Sequence, residues 1–153
     1  MLFPTHLLIG IIFFLNTYQF FKGGNLILFF IITMFFSIFP DIDEPNSKIN
    51  KATGPIGILI AGISKHRGVF HSLPLYLILF GLCTYFWSNY YAWAIIIGYL
   101  AHLLGDIITP MGVTPFYPFS TWRMRGLIRA GGLVEGIILI CLILIVIWTL
   151  LFS

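Results

Sequence analysis

Long apolar runs, each closed by a short polar or glycine- and proline-bearing segment, organise this chain. The first covers about residues 3–21 and ends in NTYQFF, followed by a tight KGG turn at 22–24. The second, NLILFFIITMFFSIF, covers about 25–39 and stops at Pro40. Further runs cover about 72–88, 91–109 and 132–152. Crossing a bilayer takes roughly 20 apolar residues, with a range of about 17–25, so these runs predict transmembrane helices. The second is short, which predicts that its polar end enters a protein-lined cavity. TGPIGILIAGIS at 53–64 is apolar but too short to cross, and predicts a re-entrant or interfacial helix. No internal repeat is visible. The expected fold class is an all-α integral membrane protein, a bundle of about five transmembrane helices in a single domain, 1–153.

Composition agrees. The chain is 59% hydrophobic and 8% charged, against about 25% charged in soluble domains. The net charge of +3 comes from basic residues in short loops between apolar runs, which argues against a nucleic-acid partner. Cys83 and Cys141 lie inside apolar runs and read as buried free thiols. The N-terminal MLFPTHLLIGIIFF lacks a basic leader region and a small-residue cleavage site, so it reads as a retained first helix. With five crossings, the side of the N-terminus carries Lys48, Lys51, Lys65, Arg67, Arg123, Arg125 and Arg129, and the other side Lys22 alone. The positive-inside rule makes the N-terminal side cytoplasmic, in a multi-pass inner or plasma membrane protein.

The same topology sorts the polar residues. All four histidines and all five acids map to the N-terminal side, at corresponding depths. His6 starts the first run, Asp41, Asp43 and Glu44 follow the second, and His66 and His71 precede the third. His102 and Asp106 are the only histidine, acidic or basic residues from Asn89 to Pro110, and at i, i+4 they share one helix face. A charge at the bilayer centre costs about 2.5–3.5 kcal/mol on insertion scales and normally faces a functional cavity. A bound divalent cation would compensate the carboxylates and hold the imidazoles neutral.

PDIDEP at 40–45 places two carboxylates two residues apart, where oxygen ligands can converge, although it lacks the EF-hand spacing. KHRGVFHS at 65–72 brackets Arg67 with two histidines, a pattern of ligands plus an anion clamp. Glu135 sits in GGLVEG, where Gly132 and Gly136 form a GxxxG pattern for close helix contact. RMRGLIR at 123–129 reads as a topology anchor or as steering for an anionic substrate, and YPFSTW at 117–122 as interfacial aromatics.

The ordered blocks TH at 5–6, PDID at 40–43, HRGVFHS at 66–72 and GYLAHLLGDIITPMGVTPFYPFS at 98–120 resemble the YdjM/YbcI-like family. That is a family of inner-membrane proteins described as metal-dependent hydrolases, with a LexA-regulated founding member. The resemblance runs from His6 to about Ser120. It implies a multi-span membrane protein, metal-dependent hydrolysis, and the site residues His6, Asp41, Asp43, His66, Arg67, His71, His102 and Asp106. Glu135 lies outside the matched blocks.

The expected function is therefore a membrane-embedded metal-dependent hydrolase with its site near the cytoplasmic interface. Asp41, His71, His102 and Asp106 are the preferred ligands, and Asp43, His66 and His6 complete a second metal or support the first. Mixed nitrogen and oxygen ligands favour Zn or Mn, as one ion or two. Arg67 would hold a phosphoryl or carboxyl oxygen and Glu135 would act as general acid or base. The expected partners are membrane lipid and an amphiphilic or phosphorylated ester substrate. A PSGH block and a G-x-S-x-G elbow are both absent from the sequence. The alternatives are a proton- or metal-ion-coupled transporter, a haem-binding electron carrier, and a non-catalytic structural metal protein.

Overall fold

The computed structural model describes residues 1–64 and 66–152, and Lys65, counted above among the basic residues, lies outside them. Among the described residues seven α-helices follow in chain order: α1 Phe3–Thr17, α2 Leu26–Ile38, α3 Lys48–Ala52, α4 Pro55–Ile63, α5 Leu73–Phe86, α6 Asn89–Ile107 and α7 Leu133–Phe152. Among the described residues there is no strand, only an isolated antiparallel bridge between Val113 and Met124.

Local chemistry sets the boundaries. Proline occupies the first turn of α1, α4 and α5, where its missing N–H costs nothing. Asn25 caps α2 by accepting from the Leu28 N–H, Ser47 caps α3 through Asn50, and Ser88 caps α6 through Tyr90. Pro40 ends α2, and the chain tightens into a 3-10 turn over Phe39–Asp43.

Among the described residues three segments are long and apolar enough to cross a membrane: Leu26–Asp43, which joins α2 to its 3-10 turn, Asn89–Ile107 and Leu133–Phe152. The first and third predicted spans are shorter as helices, with 15 residues in α1 and 14 in α5. At 1.5 Å per residue these reach roughly 21–23 Å, against about 30 Å of hydrocarbon. The predicted short helix at 53–64 forms as α4, whose Ile56, Ile58, Leu59 and Ile63 are exposed. Asn50 ties it down, donating its side-chain N–H groups to the carbonyls of Ile42 at 2.6 Å and Gly57 at 2.7 Å.

Helix α6 is the axis of the bundle. It packs against α1, α2 and α5, whereas α7 rests on α1. One core cluster joins Phe14, Phe29, Tyr90, Ala94 and Ile97, and a second joins Tyr76, Ile95 and Tyr99. The Tyr76 and Tyr99 rings stack at 3.8 Å between centroids. The Gly132–Gly136 pattern does not make the close helix contact expected of it. A Cβ added at Gly136 would meet nothing within 4 Å, and one at Gly132 only its own local turn. Both thiols are free, but Cys141 is exposed on α7 and not buried as its apolar run suggested.

Candidate metal centre

Four segments that are distant in sequence meet at one end of α6. The first turn of α1 brings His6, the 3-10 turn after α2 brings Asp41 and Asp43, the segment before α5 brings His66, Arg67 and His71, and α6 brings His102 and Asp106. His6, His71, His102 and Asp106 are fully buried. Gly105 makes room for His6, since a Cβ there would sit 3.0 Å from the imidazole.

Asp41, His71, His102 and Asp106 each offer one ligand atom, all within 4.8 Å of one another. The distances are informative. His71 Nε2 and His102 Nε2 are 3.2 Å apart. Asp106 Oδ2 stands 3.4 Å from the first and 3.6 Å from the second. Asp41 Oδ1 stands 3.7 and 3.8 Å from the same two atoms. Ligands about 2.0–2.2 Å from a tetrahedral ion lie about 3.4 Å apart. These five separations are therefore close to the edges of a tetrahedral coordination shell.

Hydrogen bonding explains why the ligand atoms are available. His102 Nδ1 lies 2.9 Å from the Ser37 carbonyl oxygen, so it carries the proton and leaves Nε2 with a free lone pair. His71 Nδ1 lies 3.4 Å from Asp43 Oδ2 without a hydrogen bond to it, so this carboxylate acts on the ring by its charge. Asp106 Oδ2 and both nitrogens of His6 are buried and have no hydrogen-bond partner among the described residues. Unpaired polar atoms in a dry site are costly. A divalent cation held by Asp41, His71, His102 and Asp106 would satisfy Asp106 Oδ2.

Burial by itself would push the His71 imidazole towards neutrality, but the carboxylates of Asp106, Asp41 and Asp43 outweigh it and hold His71 well above its ordinary value. A proton on His71 thus substitutes for the metal charge. This contribution to stability is present below pH ~6.5 and is lost as pH rises through the elevated value. Chelated protein should therefore lose thermal stability on the alkaline side, and metal-loaded protein should not. Melting temperatures with and without chelator across pH 6–10 test this; parallel curves would contradict it.

The remaining predicted residues surround this set. His6 stacks on His102 at 4.0 Å between centroids, with Nε2 3.5 Å from Asp106 Oδ1 and 4.0 Å from Asp41 Oδ2. Asp43 lies behind the cluster, its Oδ1 2.8 Å from His66 Nδ1 and its Oδ2 accepting from the Arg67 N–H at 3.1 Å. His66 reaches Glu44 on its other side at 3.3 Å. Arg67 donates to Asp106 Oδ1 at 3.1 Å, to Thr109 Oγ1 at 3.0 Å and to the Gly112 carbonyl at 2.7 Å. Its backbone is left-handed at φ 58°, a state costing a non-glycine residue about 1–3 kcal/mol. Asp43 holds the amide, and Thr114 Oγ1 holds the carbonyl at 3.0 Å.

Glu135 is placed differently from its expected role. Its oxygens accept from the Leu2 N–H at 2.7 Å, Thr5 Oγ1 at 2.9 Å and the Gly131 N–H at 2.6 Å. It makes no ion pair or hydrogen bond with the Asp/His cluster among the described residues, and joins the starts of α1 and α7 instead. Ser37, Thr109, Gly112 and Thr114 support the site without having been read from the sequence. Three of them act through a backbone carbonyl or a hydroxyl on another loop, for which no local pattern exists.

A cavity of about 530 Å³ opens beside the cluster. Asp41, His66 and Arg67 belong to its polar lining, with Glu44 and Lys48 further along it, and Leu2, Phe3 and Ile38 contribute apolar surface. Among the clustered ligands only Asp41 borders it, with its side chain 20% exposed.

Fold and site together define a helical membrane protein with a buried Asp/His cluster suited to a divalent cation. The chain belongs to the YdjM inner membrane protein family, whose sequence pattern matches residues 1–152. It is 35% identical over 96 residues to the inner membrane protein YdjM of Escherichia coli (strain K12), covering 58% of this chain and 47% of that protein. The inner membrane protein YdjM of Shigella flexneri matches to the same extent. The chain thus spans about half the length of the curated relatives it matches. No solved structure matches it significantly.

Proposed function

We propose that this protein is a membrane-embedded metal-dependent hydrolase acting on a phospholipid or another amphiphilic ester. The near-tetrahedral convergence of Asp41, His71, His102 and Asp106 carries this reading. The cavity supports it, because a polar wall at the cluster continues into apolar surface, as an amphiphile requires. In this reading α1 and α5 also cross the bilayer, giving five spans, and the site faces the cytoplasmic leaflet.

When bound, a Zn or Mn ion supplies a water of lowered pKa and polarises the scissile oxygen. Arg67 already neutralises Asp106 Oδ1, which favours one ion over two. His66 borders the cavity with Nδ1 fixed on Asp43, leaving Nε2, beside Glu44, to carry the proton to the leaving group. The acid–base role expected of Glu135 passes to His66, and Glu135 holds helix ends together.

The test is hydrolysis by purified protein in proteoliposomes, loaded with Zn or Mn, against phosphate-ester and carboxyl-ester amphiphiles. Turnover should require metal and fall at least ~100-fold in His71→Ala and His66→Ala, as losses of a ligand and of an acid–base group do. Metal-loaded, folded protein inert towards both ester classes would overturn the reading.

A further inference from the structure

A second, smaller cavity of about 70 Å³ lies against Arg67, lined by Arg67, Gly68, Thr114, Tyr117, Thr121 and Arg123. Of these, only Arg67 also borders the larger cavity. Among the described residues the small cavity's lining includes two arginines and three hydroxyl-bearing residues, and no acidic residue. The space is much smaller than the cavity beside the cluster and suits a compact ligand.

Arg67 gives the strongest indication. Its terminal nitrogens are committed to Thr109, Gly112 and Asp106. Its Nε–H is buried with no partner among the described residues. A buried guanidinium donor left unpaired costs more than a neutral one. The backbone strain at Arg67 and the Thr114 hydrogen bond to its carbonyl fix the residue between the two cavities. Arg123 forms the outer wall and is exposed, so it can swing to meet a ligand. Thr121 and Tyr117 offer neutral hydroxyl donors beside it. Guanidinium forks and hydroxyls together are the chemistry that recognises phosphate.

We infer that this cavity is a phosphate-binding site, distinct from the metal cluster, for inorganic phosphate or a phosphomonoester headgroup. Arg67 is its buried floor and Arg123 its mobile wall. Phosphate here would rest on one end of the arginine that pairs with Asp106 at the other, so the two sites share a residue. The inference does not depend on hydrolysis, because binding requires neither metal nor turnover.

The experiment is isothermal titration of the full detergent-purified chain in EDTA, which removes any phosphate binding to metal. The probes are inorganic phosphate, dihexanoyl phosphatidate and dihexanoyl phosphatidylcholine. Saturable binding of phosphate or phosphatidate is expected, weakened at least ~10-fold by Arg123→Ala, the loss of one charge-assisted hydrogen bond. Arg123→Lys should recover part of it, and Lys22→Ala, an exposed lysine in the turn between α1 and α2 that lines neither cavity, should leave it unchanged. Binding of phosphate assigns a free anion, and binding of phosphatidate alone assigns a lipid headgroup. Overturning results are no saturable binding of either phosphate probe, equal binding by Arg123→Ala, or equal binding of phosphatidylcholine. Arg123 is exposed, so a folding defect does not confuse the result.

Discussion

Purified protein should carry about one equivalent of Zn or Mn, and His102→Ala should lower this below a tenth under the same dialysis, as removal of a direct ligand does. Elemental analysis beside protein quantification reads the ratio directly. His102 is the cleaner variant because it is a neutral ligand. Its removal costs the Nδ1 hydrogen bond to Ser37 and the stack on His6, but unpairs no charge. Asp106→Ala should lose metal equally and also destabilise the protein. Arg67 would keep its bonds to Thr109 and Gly112 but lose its carboxylate. Breaking a buried ion pair from one side costs about 3–5 kcal/mol. The two variants should therefore match in metal content and differ in melting temperature. Equal metal in wild type and His102→Ala would remove this cluster as the binding site.

Gly98→Val should unfold the bundle at markedly lower temperature without touching any ligand. A Cβ at Gly98 would collide with the Thr33 carbonyl oxygen and lie 2.8 Å from the Phe36 Cβ. Both obstacles belong to α2 and sit close to its axis, so no rotamer change relieves them. Overpacking of this kind costs about 1–3 kcal/mol and more where backbone must move. For a chain of this size that is roughly 2–4 °C per kcal/mol, or about 6–12 °C at the upper end. Gly81→Ala on α5 is the control, because a Cβ there meets nothing within 4 Å. It should be neutral or slightly stabilising, since alanine is the better helix former. Thermal unfolding in detergent, followed by loss of the monodisperse peak, separates the two. Equal melting temperatures would contradict the close α2–α6 contact.

Metal loss at His102 would also show how far pattern reading reaches. The i, i+4 spacing of His102 and Asp106 puts both on one helix face, and α6 presents them so at 3.6 Å. That follows from helical geometry and needs no tertiary information. The role of Asp43 was harder to separate from that of Asp41. Both lie in one turn, two residues apart, and only the approach of His66 and the Arg67 amide from a distant loop turns Asp43 away from the cluster. Glu135 shows the opposite problem. A carboxylate one turn into an apolar helix reads as functional, but the start of α1 and Gly131 supply three donors that occupy it. Gly132 and Gly136 had the spacing of a helix contact and Gly98 did not, although Gly98 is where two helices meet closely.

What the sequence by itself determined is local: apolar length, the helix stop at Pro40, and the shared face of His102 and Asp106. Each depends on residues within about one turn of one another, where propensity and periodicity act directly. Tertiary structure alone decided which side chains meet. The 3.2 Å approach of His71 to His102, the Ser37 carbonyl on His102, and Arg67 between two cavities all join segments more than 30 residues apart. Such contacts depend on the axial rotation and depth of each helix. Those are set by packing against α6, and one-dimensional spacing does not encode them.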